Sequence, residues 1–293
     1  MKIIVRGFLK TILVLFLLLA AVILISGKTY LFKAIWYGTA DIDDYKIFDN
    51  RTVVAGIAQP WPIAKEYNKI IYPDSLNKEL VETKSIALTV IRNDSLLFEK
   101  YWDGYSDSSL SGSFSVAKSI TSLLIGIALH EGKIKSLNQP VCDFLPEFKE
   151  GLSAKLTIKH LLTMTSGSNW DESYFSPFSI TTEAYYGKDL FRTATRVKIK
   201  KEPGTFHEYL SGNTELLAVI LEKATGKTLS EYASEKLWQP LRAEHRALWS
   251  LDKKDGHEKA YCCFNSNARD FARVGQLMLD SGRWNGTPVI DLD

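Results

Sequence analysis

The stretch FSVAKSITSLLIGIALHEG, residues 114–132, decides the fold of this 293-residue chain. Its apolar residues recur at intervals of three and four positions from Val116 to Leu129, which predicts a helix. Because apolar side chains lie on most sides of that helix, it is expected inside the protein rather than on its surface. Gly132 is typical of a left-handed C-terminal cap, so the predicted helix begins at Val116 and ends at Gly132.

The start of this helix carries a candidate nucleophile. A serine hydroxyl is activated when a nearby base takes its proton, and Ser115 and Lys118 stand three residues apart on one helix face. Two other Ser-x-x-Lys pairs occur in polar stretches, Ser75 with Lys78 and Ser250 with Lys253. Ser115 differs from them because its helix carries Lys118 towards the core, where the charged ammonium is disfavoured. An alternative stays open in which Ser115 only caps the helix and Lys118 extends to solvent.

The N-terminal residues have the character of a membrane segment. No charge falls between Lys10 and Lys28, and residues 12–25 are almost wholly aliphatic, near the lower limit of about 17 residues for a spanning helix. Three basic residues precede this stretch and favour a cytoplasmic N-terminus. Residues 1–30 are therefore predicted to be an uncleaved single-pass anchor, with a signal peptide as the alternative. The remainder is expected on the periplasmic or extracellular side.

The composition is that of a globular protein with a sizeable core, at 45% hydrophobic and 24% charged residues. A formal charge of only +2 disfavours nucleic acid and favours a small-molecule partner. The three cysteines, Cys142, Cys262 and Cys263, lack zinc-ligand spacing and are expected to be buried free thiols. No HExxH or GxSxG motif occurs, so neither a metal nor a cofactor is predicted, and a Ser-His-Asp hydrolase is disfavoured.

Further elements define the rest of the predicted fold. Residues 86–91 and 96–98 predict a β-hairpin around the turn sequence RNDS. Three more helices are predicted, over residues 157–164, 214–224 and 268–279. A two-stranded hairpin needs partner strands, and a segment such as 246–251 is a candidate. Residues 31–84, interrupted by prolines, are expected to be an extended lead-in, and residues 85–293 the main domain.

Four motifs in one order carry a family resemblance. They are FSVAKS at 114–119, LLTMTSG at 161–167, PGT at 203–205 followed by YLSGN at 209–213, and ARDFAR at 268–273. This set resembles the class C β-lactamase-like serine hydrolases, a family that includes penicillin-binding proteins, esterases, D-amino-acid peptidases and aminohexanoate-oligomer hydrolases. The resemblance runs from about residue 86 to the C-terminus. It implies the α+β fold of β-lactamases and transpeptidases, an antiparallel sheet with a helical domain.

The resemblance also implies a mechanism. Ser115 would attack the carbonyl of an ester, amide or peptide and become acylated, while Lys118 would receive or stabilise the transferred proton. Tyr209 would serve as general base and as proton donor to the leaving group. Ser211 stands where β-lactamases of this class carry asparagine, which favours the esterase and amide-hydrolase branches. Ser211 and Trp170 are expected to contact substrate, although for Trp170 simple packing within its loop is an equal alternative.

The family's third motif, a strand with Lys-Thr-Gly or His-x-Gly that contributes one oxyanion N–H, is not found in this sequence. We therefore expect a chain that lacks the C-terminal strands of the family fold. Losing one oxyanion donor costs about 10² to 10³ in rate. Two alternatives to an active hydrolase follow: an inactive remnant, or a module that binds penicillin or peptidoglycan without efficient turnover.

Overall fold

A computed structural model describes residues 2–290, with side chains from residue 9 onward. The helices are α1 (Lys2–Ser26), α2 (Tyr30–Tyr37), α3 (Asp74–Glu82), α4 (Val116–His130), α5 (Ile158–Leu162), α6 (Ile180–Tyr186), α7 (Leu190–Thr195), α8 (Ser211–Thr225), α9 (Leu229–Ala233) and α10 (Ala268–Leu279). The strands are β1 (Asn50–Val53), β2 (Ala87–Arg92), β3 (Ser95–Tyr101), β4 (Ser111–Gly112), β5 (Ala247–Ser250), β6 (Phe264–Ser266), β7 (Arg283–Trp284) and β8 (Thr287–Pro288).

The helix that decides the fold is present as predicted. Helix α4 is buried along most of its length and packs against α8, and both contribute side chains to one hydrophobic core. Gly132 follows α4 with a φ of 69°, and Gly226 follows α8 with a φ of 71°, the left-handed conformation that glycine adopts at little cost. Packing two buried helices together gives the protein an interior to which the sheet attaches.

The strands form one antiparallel sheet and two separate hairpins. The sheet has the order β1-β5-β6-β4, and its first pair aligns Asn50 with Ser250 and Val53 with Ala247. The predicted hairpin is present as β2 and β3, and Asn93 and Asp94 in its turn both have positive φ, as a two-residue type I′ connection requires. Strand β5 was expected to extend this hairpin, but among the described residues it pairs with β1 and β6 instead.

The segment expected to be an extended lead-in contains regular structure. Residues 31–84 include most of α2, all of β1 and α3. Strand β1 pairs with β5, about 200 positions later in the chain. Periodicity within the segment cannot show such a pairing, because the partner lies far away in sequence.

Two of the cysteines differ from expectation. Cys262 and Cys263 are joined by a disulfide, so the prediction of free thiols is wrong for this pair, whereas Cys142 is free and half-buried. The amides of both bonded cysteines donate to the Lys259 carbonyl. These hydrogen bonds form a tight turn at the two cysteines. Sequence spacing alone does not reveal this turn or the disulfide within it.

The ARDFAR motif on α10 has a structural role. Arg269 donates two hydrogen bonds to the carboxylate of Glu99, from Nη2 at 2.5 Å and from Nε at 2.8 Å. The hydroxyls of Tyr67 and Tyr101 donate to the same carboxylate at 2.6 and 2.7 Å. This buried network joins α10 to β3 of the hairpin. Burial alone would raise the pKa of Glu99, but these hydrogen bonds outweigh it and lower the pKa to about 2.

We expect Glu99→Gln to lower the free energy of unfolding by about 1–2 kcal/mol at neutral pH, after allowance for solvent screening. The folded-state pKa lies below the ordinary value of 4.5. The stabilisation is therefore complete above pH 4.5 and is lost as the pH falls towards about 2. Urea unfolding in detergent at neutral pH and near pH 3 measures it, with the exposed Glu82→Gln as the matched control. A difference between wild type and Glu99→Gln that does not change with pH would contradict this account.

Candidate active site

The candidate nucleophile lies at the first turn of α4. The backbone of Ser115 is already helical, and its side chain makes no capping hydrogen bond. The preceding residue, Phe114, has a φ of 44°, a conformation that costs a non-glycine residue energy and is concentrated at functional sites. The structure therefore does not support the alternative in which the Ser115 side chain caps helix α4.

Lys118 lies inside the protein and points back to Ser115. Its side chain is only 8% exposed, and Nζ donates to Ser115 Oγ at 3.2 Å and to the Tyr261 carbonyl at 2.8 Å. The alternative in which Lys118 extends to solvent is excluded by this burial. A buried amine needs polar partners, and the Tyr261 carbonyl fixes the direction in which the amine reaches the hydroxyl.

Tyr209 stands opposite this pair. The centre of its ring lies 5.0 Å from Lys118 Nζ, and the side chain is 43% exposed, at the edge of the site. The loop before it is held by two backbone hydrogen bonds, from Glu208 N to the Met164 carbonyl and from Gly204 N to the Thr165 carbonyl. The motifs at 161–167 and 203–213 are therefore one structural unit that brings Tyr209 to the start of α4.

Ser211 and Glu172 form a hydrogen-bonded pair beside the catalytic candidates. The amide and hydroxyl of Ser211 both donate to the Glu172 carboxylate at 2.6 Å. The hydroxyl of Tyr174 donates to the same carboxylate at 2.5 Å, and burial together with this hydrogen bond raises the pKa of Tyr174. This role of Glu172 was not predicted from the sequence, since a carboxylate that organises a loop has no spacing signature.

Trp170 is buried behind this arrangement. Its indole Nε1 donates to Thr181 Oγ1 at 2.9 Å, and its ring packs against Gly212, the second residue of α8. The ring is not among the groups that line the cavity described next. Its predicted contact with substrate stays a prediction, and the packing alternative has direct support.

One cavity of about 360 Å³ contains Ser115 and Lys118, a size suited to a small molecule. Its walls come from six parts of the chain: the turn after α2, the start of α4, the loop before α6, α6 itself, the start of α8 and the segment between β5 and β6. The other lining residues are Gly38, Thr39, Ala40, Phe114, Tyr174, Phe175, Thr181, Thr182, Tyr185, Tyr186, Ser211, Tyr261 and Cys262. Burial raises the pKa of Tyr186 to about 12, so its hydroxyl is uncharged at neutral pH.

Much of this wall was not predicted from the sequence. Residues 38–40 come from the segment expected to be an extended lead-in, and the tyrosines of α6 come from a helix that the sequence analysis did not predict. Cys262 reaches the cavity as half of the disulfide. Within residues 9–290, no group of three or more histidine, cysteine or acidic side chains could hold a metal ion.

Comparison with known proteins identifies the family. The β-lactamase family model matches residues 74–288. The 6-aminohexanoate-dimer hydrolase of Paenarthrobacter ureafaciens is 31% identical over 229 residues, which cover 74% of this chain. A Bacillus anthracis protein assigned as a 6-aminohexanoate-dimer hydrolase has a TM-score of 0.71 and 24% identity, over 85% of this chain and 70% of that one. The penicillin binding protein of Bacillus halodurans has a TM-score of 0.55 and 19% identity, over 70% of this chain and 74% of that one.

The fold and the motifs therefore define a β-lactamase/transpeptidase-like protein, and the chain belongs to the β-lactamase family. This confirms the family and the fold that the four motifs implied. The chain spans just over half, 57%, of the length of the Paenarthrobacter relative.

The contact between Trp170 and Gly212 gives a test of how the site is supported. A Cβ atom at position 212 would lie 2.3 Å from Cε3 of Trp170. We expect Gly212→Ala to lower the free energy of unfolding by about 1–3 kcal/mol, because the indole must move. Gly275→Ala is the matched control, since a Cβ there meets nothing within 4 Å and helix propensity favours alanine by up to about 1 kcal/mol. Equal effects of the two substitutions on thermal unfolding would refute the packing argument.

Proposed function

We propose that this protein is a membrane-anchored serine hydrolase that cleaves an ester or an amide through an acyl-enzyme on Ser115. One observation carries the proposal: Lys118 Nζ lies 3.2 Å from Ser115 Oγ inside a cavity of small-molecule size, with the ring of Tyr209 5.0 Å from the same nitrogen. A hydroxyl and an amine in hydrogen-bond contact can exchange a proton, and we assign the phenol of Tyr209, whose ring lies beside the amine, as the third member of this relay.

In the proposed first step, Ser115 Oγ bonds to the substrate carbonyl carbon. The hydroxyl proton passes to the Lys118 and Tyr209 pair, with Lys118 receiving or stabilising it. As the tetrahedral intermediate collapses, the bond to the leaving amine or alcohol breaks and Tyr209 donates a proton to it. Water then attacks the carbonyl carbon of the acyl-enzyme and gives a proton to the Lys118 and Tyr209 pair. The acid is released as Ser115 Oγ recovers its proton from that pair. Such proton transfers contribute about 10² to 10⁴ in rate.

The start of α4 also suits a developing negative charge. Helix N-termini carry partial positive charge and unpaired amides. The positive φ of Phe114 turns the chain sharply just before Ser115, and the Ser115 N–H has no hydrogen-bond acceptor among the described residues. We assign this amide as one oxyanion donor.

The choice of an ester or amide substrate follows from the relatives and from Ser211. The Paenarthrobacter relative is named as a hydrolase of a 6-aminohexanoate dimer. In this chain Ser211 lines the cavity, with its hydroxyl held by Glu172. We assign Ser211 to substrate binding, where its oxygen could accept a hydrogen bond from substrate.

Three substitutions test the catalytic assignment. We expect Ser115→Ala to abolish hydrolysis of a short-chain p-nitrophenyl ester and labelling by a fluorescent fluorophosphonate, because the attacking oxygen is gone. Lys118→Met and Tyr209→Phe should each lower kcat/KM by about 10² to 10⁴. Ser75→Ala is the control, since this exposed serine also precedes a lysine by three residues.

The same assay distinguishes the other candidates. An unlabelled wild-type chain would defeat the hydrolase proposal and favour an inactive remnant. A lasting Ser115-dependent adduct with penicillin, without turnover of ester or amide, would favour a penicillin-binding module, a type of protein whose fold this chain shares.

The anchor part of the proposal rests on α1. Residues Leu9–Ser26 have a mean hydropathy of 2.8 and span about 27 Å at 1.5 Å per residue, enough to cross most of a hydrocarbon core. We expect the full chain to stay in the membrane pellet after an alkaline carbonate wash, with its N-terminal sequence intact. Release into the soluble fraction without residues 1–26 would show that this segment is a cleaved leader.

A further inference from the structure

A second and larger cavity, of about 840 Å³, lies where α1 ends. One side is formed by the end of α1 and the start of α2, and the other by α6, α7 and the turn between them. Six basic side chains line it: Lys28, Lys33, Lys188, Arg192, Arg196 and Lys253. Only two acidic side chains do so, which gives the cavity an excess of positive charge.

Both acidic side chains are already engaged. Glu183 forms an ion pair with Arg196 at 2.7 Å, and the Asp189 carboxylate accepts from the amide of Arg192 as the cap of α7. Of the six basic side chains, only Arg196 forms an ion pair within the described part of the chain, and Lys28, Lys33, Lys188, Arg192 and Lys253 form none. The cavity therefore holds cationic groups for which the protein itself supplies no counter-charge.

The position of this cavity is fixed relative to the apolar helix. Ser26, the last residue of the apolar stretch, lines it directly. The joint between α1 and α2 is held to the domain by the buried side chains of Ile23, Tyr30 and Leu31. If α1 spans a bilayer, as proposed above, the cavity lies at the boundary between hydrocarbon and water.

Two exposed aromatic side chains lie on segments next to this boundary. Trp36 on α2 is 81% exposed and Phe178 is 66% exposed, and Lys28 Nζ lies 5.6 Å from the centre of the Phe178 ring. Aromatic rings next to lysines are typical of the headgroup region of a membrane. These rings would lie among headgroups rather than in water.

We propose that this basic cavity binds the phosphate of an anionic phospholipid from the leaflet in which α1 ends. The ligand chemistry is a phosphate ester anion, which Lys and Arg side chains recognise by charge and by hydrogen bonds. The continuity with α1 and the exposed aromatic side chains identify a lipid as its source. The inference rests on the proposed membrane anchor and not on the hydrolase chemistry.

The bound lipid would lie close to the site of catalysis. Tyr186 lines both cavities, its hydroxyl donates to the Gly38 carbonyl at 3.0 Å, and its ring stacks on Tyr37. A lipid in the basic cavity would therefore hold the wall of the active-site cavity against the membrane surface. Substrates that are themselves partly embedded in the membrane would reach Ser115 most readily.

Native mass spectrometry of the full chain in dodecyl maltoside tests this inference. Phosphatidylglycerol is titrated against the wild type, and we expect a one-to-one adduct that phosphatidylcholine forms at least tenfold more weakly. The triple variant Lys188→Gln, Arg192→Gln, Lys253→Gln should bind phosphatidylglycerol at least tenfold more weakly than the wild type. The control triple Lys65→Gln, Lys133→Gln, Lys149→Gln removes the same charge from exposed lysines away from the cavity and should bind within twofold of the wild type.

Each other outcome has a defined meaning. Absence of a phosphatidylglycerol adduct in a chain that retains α1, or equal weakening by both triple variants, would overturn the inference. Displacement of the lipid by glycerol 1-phosphate at equal concentration would contradict the assignment of a lipid as the ligand. It would indicate that the cavity binds a soluble phosphate ester. Unchanged thermal unfolding of both triple variants verifies that they are folded. Ser115→Ala should bind the lipid like the wild type, so a failure of the hydrolase proposal is distinguishable from a failure of this one.

Discussion

The structure depends on how a lysine is held inside it. Lys118 is carried into the interior by α4, where a charged amine is costly unless polar groups receive it. The Tyr261 carbonyl and the Ser115 hydroxyl are those groups. Because the carbonyl belongs to the segment between β5 and β6, the lysine can be satisfied only when the sheet is docked against the helix pair. Folding and assembly of the candidate site are therefore the same event.

The N-terminal segment belongs to the site as much as to the proposed anchor. The turn after α2 lines the active-site cavity through residues 38–40, and Tyr186 ties that turn to α6. The β-lactamase-like domain is therefore not suspended from α1 by a free linker. A short buried joint at Tyr30 and Leu31 sets how the domain stands relative to the apolar helix.

Local patterns in the sequence determined a substantial part of the fold. Helices α4 and α10 and the hairpin of β2 and β3 have boundaries close to the predicted ones, because periodicity and turn residues act over a few neighbouring positions. The Ser115 and Lys118 pairing was predicted from the same short-range geometry, since two residues three positions apart must share a helix face. The order of the four motifs was enough to imply the family that the comparisons confirm.

Only the tertiary structure decided what surrounds that pair. The bond between Cys262 and Cys263, the hydrogen bonds of Glu172 with Ser211, and the wall contributed by residues 38–40 all depend on a chain path that no local pattern records. The basic cavity likewise is lined by both Lys28 and Lys253, which lie far apart in the sequence. By itself the sequence determined which helix carries the candidate nucleophile and its lysine. What faces them was decided by long-range packing, because side chains distant in sequence become neighbours only when the core closes.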